Sequence, residues 1–142
     1  MATILNLEII TAEGVAHQDK VDALIAPGIA GQLTILPNHA PLMTMIEPGE
    51  LTLRKGTEET YIAVTGGYLE VLDNKVLVLA DSAERAEEID INRAELAKER
   101  AQQLLQSGAP SDVDQVRVEA ALRRSLARLK VAERRRRREK RT

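Results

Sequence analysis

The hydrophobic pattern of this 142-residue chain changes its period once, close to Asp81. Before that point, short apolar runs alternate with polar side chains and are separated by turn residues. After it, apolar side chains recur at spacings of three and four. A period of two lines one face of a strand, whereas spacings of three and four line one face of a helix. We therefore expect an all-β domain over residues 1–85 and a helical domain over residues 86–142.

The strand-like part predicts an antiparallel β-sandwich. Residues 5–9 alternate regularly, and residues 21–25 repeat the pattern until Pro27 and Gly28, which we expect to end that strand. Further apolar segments, separated by Gly, Pro, Asn or Asp, occupy residues 33–36, 42–46, 50–54, 60–65, 68–72 and 76–80. Eight to ten strands at this spacing favour a sandwich or a flattened barrel, of which we expect the sandwich, because parallel sheets need long helical crossovers for which these connections leave no room.

A first helix is expected to begin next to Asp90, whose side chain can cap the opening turn. Its apolar positions share helical spacing and are Ala94, Ala97, Ala101, Leu104 and Leu105. Residues 107–110 read Ser-Gly-Ala-Pro and should end this helix. Most of its apolar side chains are alanines, which bury far less area than a Leu or Val worth roughly 1.5–3 kcal/mol.

A second helix is expected to restart at Ser111 or Asp112 and to pack on the first as an antiparallel hairpin. Its apolar stripe consists of Val118, Leu122, Leu126, Leu129 and Ala132. Because the facing stripe of the first helix is so small, we expect a marginally stable hairpin whose packing is reversible.

Composition excludes several classes of function. The chain has no Cys, no Phe and no Trp, and its only aromatic residues are Tyr61 and Tyr68. A disulfide scaffold, a thiol catalyst and a zinc–thiolate site are therefore excluded, and we expect no metal. We also expect neither a secretion signal nor a transmembrane segment, because the apolar runs are only strand-sized.

Charge separates the two parts of the chain. Residues 1–85 carry 12 acidic and 5 basic side chains, whereas residues 86–142 carry 10 acidic and 15 basic ones. The basic excess peaks near the end, where residues 134–138 are five consecutive arginines. Such a run either solvates a helix end or docks on an acidic surface. Nucleic acid is the weaker candidate surface, because no aromatic side chains are interleaved with the arginines.

Catalytic chemistry finds little support in the sequence. His17 and His39 are the only histidines, and no nucleophile elbow, metalloprotease motif or phosphate-binding loop is present. His39 lies in a Pro-Asn-His-Ala-Pro loop, where a turn or contact role is commoner than general-base catalysis. We expect no enzyme activity from this chain, which argues against a small hydrolase.

One group of residues favours a nucleotide ligand. Asp90 stands at a helix start, Arg93 and Arg100 are seven residues apart, and Arg124 and Arg128 are neighbours on the second helix. Guanidinium forks suit polyphosphate oxygens, and a carboxylate can accept from a base or ribose. The alternative is that Asp90 only caps the helix while these arginines pair with surface glutamates, of which the nearest are Glu95, Glu99 and Glu119.

Three segments resemble the ε subunit of F-type ATP synthase, called ε in bacteria and chloroplasts and δ in mitochondria. They read GQLTILPNHAPL over residues 31–42, TGGYLEV over 65–71 and VLVLADSA over 76–83. Together with the expected hairpin, they extend the resemblance over essentially the whole chain. This resemblance implies a non-catalytic rotor subunit on the cytoplasmic face of the bacterial plasma membrane, with the thylakoid stromal face as the other option.

The resemblance also implies partners. The sandwich is expected to contact the γ subunit and the ring of c subunits, with Gln32 and His39 in the ring-facing loop; Gln32 stands where many members have an acid. The hairpin is expected to fold on the sandwich or to extend among the α and β subunits, where it blocks ATP hydrolysis. The basic residues expected to meet the β subunit are Arg123, Arg134, Arg135, Arg136, Arg137 and Arg138.

Some bacterial members of the resembled family bind ATP in the folded hairpin, as a regulatory ligand and not as a required cofactor. The residues that correspond to that site here are Glu84, Ile89, Asp90, Arg93, Ala94, Arg100, Arg124 and Arg128. A rival interpretation is a free-standing module whose basic helices bind RNA or another acidic partner. Salt-sensitive binding to random nucleic acid would favour that rival.

Overall fold

The computed structural model describes residues 4–108 and 111–141 and contains ten strands followed by two long helices. The strands, in chain order, are β1 (Leu5–Thr11), β2 (Gly14–Val21), β3 (Ala23–Gly28), β4 (Gly31–Ile35), β5 (Leu42–Ile46), β6 (Gly49–Lys55), β7 (Glu58–Val64), β8 (Gly67–Leu72), β9 (Lys75–Ala80) and β10 (Ala83–Arg85). A short 3₁₀ turn, η1 (Ala86–Glu88), leads to α1 (Ile91–Ser107) and α2 (Asp112–Arg141). The prediction of a β-sandwich followed by a helical hairpin is confirmed.

The sheet is continuous in hydrogen bonding but folds into two layers. Its order is β10-β7-β6-β3-β5-β8-β9-β1-β2, with β4 paired to β3. Strands β3 and β5 share a single register pair, Gly28 with Ile46, so the sheet turns there from one layer to the other. Asp22 links β2 to β3 at the opposite side, and its main-chain N–H donates to the carbonyl of Arg54 at 2.8 Å.

Leucine, isoleucine and valine fill the space between the two layers. The largest fully buried side chains among the described residues all come from strands and are Leu5, Leu7, Ile9, Val21, Leu24, Ile35, Leu51, Ile62, Val64, Leu69, Val71 and Val76. The alternation of residues 5–9 therefore predicted the inward face correctly. Alternate side chains point outward and form two outer faces. Helix α2 covers part of one outer face, and the other is exposed.

Three expectations about the strands are wrong. Residues 21–25 do not belong to one strand, because β2 ends at Val21 and β3 begins at Ala23. Strand β3 continues through Pro27 to Gly28, and the carbonyl of Pro27 accepts a hydrogen bond from the N–H of Glu47 at 2.8 Å. Strands β1 and β9 pair in parallel, although we expected antiparallel pairing throughout. No helical crossover is needed, because strands β2–β8 themselves connect this parallel pair.

Gly67 opens β8 and has a local reason to be glycine. Its φ is +147°, and a Cβ there would lie 1.8 Å from the carbonyl oxygen of Leu79. The Gly66–Gly67 pair thus allows β8 to begin directly against β9. Asp73 and Asn74 have φ of 48° and 62° and form the tight turn between these strands.

The helices begin largely where the sequence indicates. Asp90 caps α1 by accepting from the N–H of Arg93 at 3.1 Å, and the hydroxyl of Ser111 accepts from the N–H of Asp114 at 3.1 Å near the start of α2. Gly108 follows α1 with φ of 81°. The predicted break continues into residues 109–110, which lie outside the described residues. Among the described residues, no helix is long and apolar enough to cross a bilayer.

The apolar stripes of the helices were predicted only in part. Ala94 and Ala101 of α1 are buried, but Leu104 and Leu126 are exposed by about half. On α2 the buried positions are Ser125, Ala127, Val131 and Ala132. Among the residues whose burial is described, the buried positions of both helices thus carry mostly small side chains, and the leucines are more exposed.

Candidate functional site

Helix α2 lies across the outer face of β6 and β7, and this contact organises the candidate sites. Beneath it lies a small apolar cluster of buried residues, namely Ala63, Ala86, Ile89, Val131 and Ala132. Thr52 of β6 is also buried, so the middle of this strand is covered on both faces. Helix α1 packs mainly on α2 and not on the sheet.

Ion pairs join α2 to the sandwich along its length. Arg123 lies 3.3 Å from Glu47, and Arg128 lies 2.8 Å from Glu84. Farther along, Arg134 Nε and Nη2 donate to the two carboxylate oxygens of Glu50 at 3.2 and 3.1 Å. Arg138 lies 3.9 Å from Glu87. The basic helix is therefore docked on the acidic sandwich, which is the structural counterpart of the charge difference between the two parts of the chain.

A cleft of about 450 Å³ lies between the sandwich and the two helices. One wall is formed by the residue that follows β7 and by residues 81–84, and the other wall is formed by both helices. The lining residues are Thr65, Asp81, Ser82, Glu84, Ala97, Ala121, Arg124, Ser125 and Arg128. Hydroxyls, carboxylates and guanidinium groups thus face a common space.

The cleft brings together part of the predicted nucleotide site. Glu84, Arg124 and Arg128 line it, and Arg128 Nη2 donates to Glu84 at 3.0 Å. Among the described residues Arg124 makes no ion pair, so its guanidinium is available to a ligand. These three residues come from β10 and α2, which are far apart in sequence and meet only through docking.

The other predicted nucleotide residues lie outside the walls of this cleft. Ile89 and Ala94 are buried, Asp90 is engaged as the N-cap of α1, and Arg93 and Arg100 are exposed. Within residues 4–108 and 111–141, neither arginine is paired with a carboxylate, so the surface pairing that we considered as an alternative is absent there. The capping role of Asp90 is present.

The arginine run continues α2, and part of it contacts the sandwich and η1. Arg135 donates to the carbonyls of Ala86 and Glu87 at 3.2 and 3.1 Å. Arg136 is exposed, and Arg137 pairs with Glu133 on the same helix at 3.3 Å. Only some of the five arginines therefore hold the helix on the sandwich.

Tyr61 lies under the end of α2. The guanidinium carbons of Arg134 and Arg138 lie 4.7 and 5.8 Å from its ring centroid, within cation–π range. Its hydroxyl donates to Glu59, and this hydrogen bond is the main cause that lowers the pKa of Glu59. Burial, followed by the same carboxylate, raises the pKa of Tyr61. The hydrogen bond to Glu50 raises the pKa of Arg134.

Of the two residues predicted to face the ring of c subunits from a loop, Gln32 lies within β4 and only His39 lies in a loop. Gln32 is exposed near the start of this strand, and His39 is half-buried four residues beyond its end. His39 Nδ1 lies 2.7 Å from the carbonyl oxygen of Ala40. Gln32 lies opposite Pro27 in the β3–β4 pair, whereas His39 follows the turn after β4.

The second outer face carries an exposed apolar row that the sequence analysis did not identify. Across five neighbouring strands the register aligns Met45, Tyr68, Leu79, Ile10 and Val15. Four of these side chains are exposed by about half, and Ile10 is partly buried. The signal was present as large apolar residues at outward positions of predicted strands. Such a contiguous row on a sheet typically marks a protein interface.

No catalytic or metal centre appears in the part of the chain that the structure describes. No group of three or more His, Asp or Glu side chains is gathered as a metal ion would require. His17 interacts with Arg85, whose Nη2 lies 2.8 Å from Nδ1. Burial lowers the pKa of His17, and the charge of Arg85 lowers it further.

The fold defines the class of protein, a β-sandwich domain with a basic helical hairpin docked on it. Comparison with known proteins gives the family. Residues 4–86 match the family described as ATP synthase, Delta/Epsilon chain, beta-sandwich domain, and residues 87–133 match the corresponding long alpha-helix domain. The chain therefore belongs to the ATP synthase delta/epsilon chain family. Members of this family are non-catalytic subunits, and the interpretation as a free-standing RNA-binding module is not supported.

Individual relatives agree with the family match. The ATP synthase epsilon chain of Dehalococcoides mccartyi is 52% identical over 132 residues, covering 93% of this chain and 94% of the relative. That of Desulforamulus reducens is 44% identical, covering 94% of this chain and 100% of the relative. A chain in the cryo-EM structure of Euglena gracilis mitochondrial ATP synthase has the same fold, with a TM-score of 0.78 at 23% identity over 93% of this chain and 82% of that one.

Proposed function

We propose that this chain is a central-stalk subunit of a bacterial ATP synthase, held on the cytoplasmic face of the membrane through the complex. In this proposal residues 1–85 contact the γ subunit and the ring of c subunits, and residues 86–142 regulate ATP hydrolysis. The family match supports the subunit assignment. The observation that carries the regulatory part is the docking of α2, which combines small apolar side chains with ion pairs and so can separate from the sandwich without exposing a large core.

The exposed apolar row supports the part of the proposal that concerns γ. Tyr68 and its neighbours on β5, β9, β1 and β2 offer a flat apolar surface on the face that α2 does not cover. In the same proposal Gln32 and His39 contact the ring of c subunits. Changing Tyr68 and Met45 to Ser should prevent co-purification with γ while leaving the fold intact. Gln32→Ala should leave γ binding unchanged and weaken attachment to the ring.

The inhibitory role proposed for the helix end predicts a gain of activity on truncation. In this proposal Arg123 and the arginine run contact an acidic segment of the β subunit when the hairpin extends. Deleting residues 134–142 should therefore raise ATP hydrolysis by the reconstituted complex. Equal hydrolysis with and without these residues would show that they do not inhibit and that their role is confined to docking α2.

ATP is the regulatory ligand that the 450 Å³ cleft would accept. Arg124 and Arg128 offer guanidinium forks to phosphate oxygens, while Ser82 and Thr65 offer hydroxyls. Binding there would stabilise the docked hairpin by RT ln(1 + [ATP]/Kd), because the cleft has walls from both parts of the chain. Abundant ATP would then keep the hairpin docked and hydrolysis uninhibited.

Calorimetric titration of the full chain with ATP tests this site. Arg124→Ala is the most specific variant, because Arg124 pairs with no carboxylate among the described residues. Removing Arg128 would also leave Glu84 without its ion-pair partner. We expect saturable heat with the wild type and none with Arg124→Ala. Arg136→Ala is the matched control, an exposed arginine on the same helix outside the cleft. Equal binding by the wild type and Arg124→Ala would remove the cleft from nucleotide binding.

A further inference from the structure

The loop of residues 36–41, between β4 and β5, is stiffened near both of its ends. Pro37 and Pro41 each fix a backbone φ angle there. The N–H of His39 also donates to the carbonyl of Leu36 at 3.1 Å, which closes a tight turn. Leu36 is 54% exposed, and His39 is half-buried. The loop thus holds an apolar side chain and an imidazole at the surface of the sandwich.

Asn74 connects the middle of this loop to the sheet. It lies in the turn between β8 and β9, and its side-chain oxygen Oδ1 accepts from the N–H of Asn38 at 3.0 Å. Its Nδ2 donates to the carbonyl of Ile4 at 2.7 Å, and its main-chain carbonyl accepts from the N–H of Asn6 at 3.2 Å. One residue therefore joins the loop, the β8–β9 turn and the start of β1.

Asparagine suits position 74 for two separate reasons. Asn74 has φ of 62°, a left-handed conformation that Asn adopts more readily than most other side chains with a Cβ. Its short side chain also carries a donor and an acceptor, and both are used. Aspartate would keep the acceptor and lose the donor, whereas glycine would keep the backbone conformation and lose both. The backbone role of Asn74 can therefore be separated from the role of its amide.

We propose that Asn74 is a positioning residue for the contact that the loop of residues 36–41 makes with the ring of c subunits. The inference rests on the proposed function, in which His39 contacts the ring. Asn74 itself does not touch that partner, and its amide fixes the loop between the two prolines. A loop already held in its binding conformation loses less conformational entropy on binding than a mobile loop. Removing the amide should therefore weaken ring binding without altering any group that touches the ring.

The surface that we assign to γ lies away from this turn. Tyr68, in the exposed apolar row, is near the start of β8 and pairs with Leu79, whereas Asn74 follows the end of β8. Asn74→Gly should therefore leave the row and its binding to γ unchanged. Binding to γ is thus an internal control that a general loss of structure would also weaken.

The first experiment measures the loop in the full chain alone. Asn74→Gly keeps the left-handed backbone and removes both side-chain hydrogen bonds. We expect faster amide hydrogen exchange at Asn38 and His39 by NMR, with the strand amides still protected. Asp73→Gly is the matched control, because Asp73 lies in the same turn with φ of 48° and is exposed, and it should leave the loop unchanged. Equal exchange at Asn38 in the wild type and Asn74→Gly would overturn the proposal.

The second experiment measures binding of the complex between γ and this chain to the purified ring of c subunits. We expect Asn74→Gly to raise the Kd for the ring about tenfold and Asp73→Gly to leave it unchanged. His39→Ala removes a group proposed to touch the ring. Combined with Asn74→Gly, it should weaken binding by less than the product of the two separate fold-changes, because Asn74 acts through the loop. Fully independent losses would show that Asn74 does not act through His39 and would overturn the proposal.

Failure of this inference can be distinguished from failure of the proposed function. If the wild-type complex does not bind the ring, the proposed ring contact is wrong and the positioning role of Asn74 is wrong with it. If His39→Ala weakens ring binding and Asn74→Gly does not, the ring contact stands and only the positioning role is wrong.

Discussion

The interior of the sandwich and the contact beneath α2 bury side chains of different kinds. Between the two sheet layers, Leu, Ile and Val are almost completely excluded from solvent. Beneath α2 the buried set is mostly Ala, with Ile89 and Val131 as its only large members among the described residues, and ion pairs surround it. The first contact is dominated by apolar area, and the second by a few methyl groups and screened charges. The chain thus combines a large apolar core with a small one that ion pairs surround.

Removing a large side chain from the interior of the sandwich should have the largest effect. Leu24 is fully buried on β3, and Leu24→Ala should lower the free energy of unfolding by about 2–5 kcal/mol. The measurement is urea denaturation followed by circular dichroism. A loss below about 1 kcal/mol would mean that the two layers close over the cavity and that the interior is less rigid than its packing implies.

The equivalent change beneath α2 should be smaller and local. Val131 is fully buried there, and Val131→Ala removes two carbon groups, worth about 1.6 kcal/mol at roughly 0.8 kcal/mol each. We expect hydrogen exchange of α2 amides to accelerate while amides of β1 and β9 stay protected. Faster exchange in those strands would show that the hairpin and sandwich unfold together.

High salt should weaken the contact beneath α2 and leave the interior of the sandwich almost unchanged. At 1 M salt the screening length falls to about 3 Å, which weakens the partly exposed pairs of Arg123, Arg134 and Arg138. We expect α2 amides to exchange faster at 1 M than at 0.05 M NaCl, with little change in the strands. In Arg134→Gln this response should be reduced. A salt response of the same size in that variant would mean that other charges control docking.

The smallest expected effect is a pH dependence at His17, where β2 approaches the end of β10. Because its pKa in the folded chain lies below the ordinary 6.5, the unfolded chain binds more protons in this window. The free energy of unfolding should therefore fall as pH drops from above 6.5 through the lowered pKa. Arg85, Asp19 and Glu88 are the charged groups that act on the ring. His17→Gln should flatten that part of the pH profile, and an unchanged slope would assign it to other groups.

The sequence predicted what depends on local pattern. Alternation identified the inward face of β1, turn residues marked most strand ends, and Asp90 marked the start of α1. The parallel pairing of β1 with β9 could not be predicted, because it joins segments separated by most of the sandwich. The continuation of β3 through Pro27 rests on its pairing with β4, where Pro27 lies opposite Gln32, and on a hydrogen bond from the N–H of Glu47, twenty residues away.

The candidate sites were predicted less completely, for the same physical reason. Glu84, Arg124 and Arg128 were identified and share a cleft. Ser82 and Thr65 were not identified, because they line the cleft only through the position of α2 on the sandwich, which the sequence does not show. The contact of Arg134 and Arg138 with Glu50 and Tyr61 was missed altogether, since Glu50 looks like an ordinary surface acid on a strand. Its only local signal was Tyr61, one of two aromatic residues in a chain that otherwise has none.

The positions of these two tyrosines give the protein a native optical reporter on each outer face. Tyr61 lies beneath the arginines of α2, and Tyr68 lies in the exposed apolar row on the other layer. With no tryptophan in the chain, all of its intrinsic fluorescence comes from these two rings. Undocking of α2 would change the emission of Tyr61, and burial against a partner would change that of Tyr68. With Tyr61→Phe and Tyr68→Phe to separate the signals, both events can be timed in the same unlabelled protein.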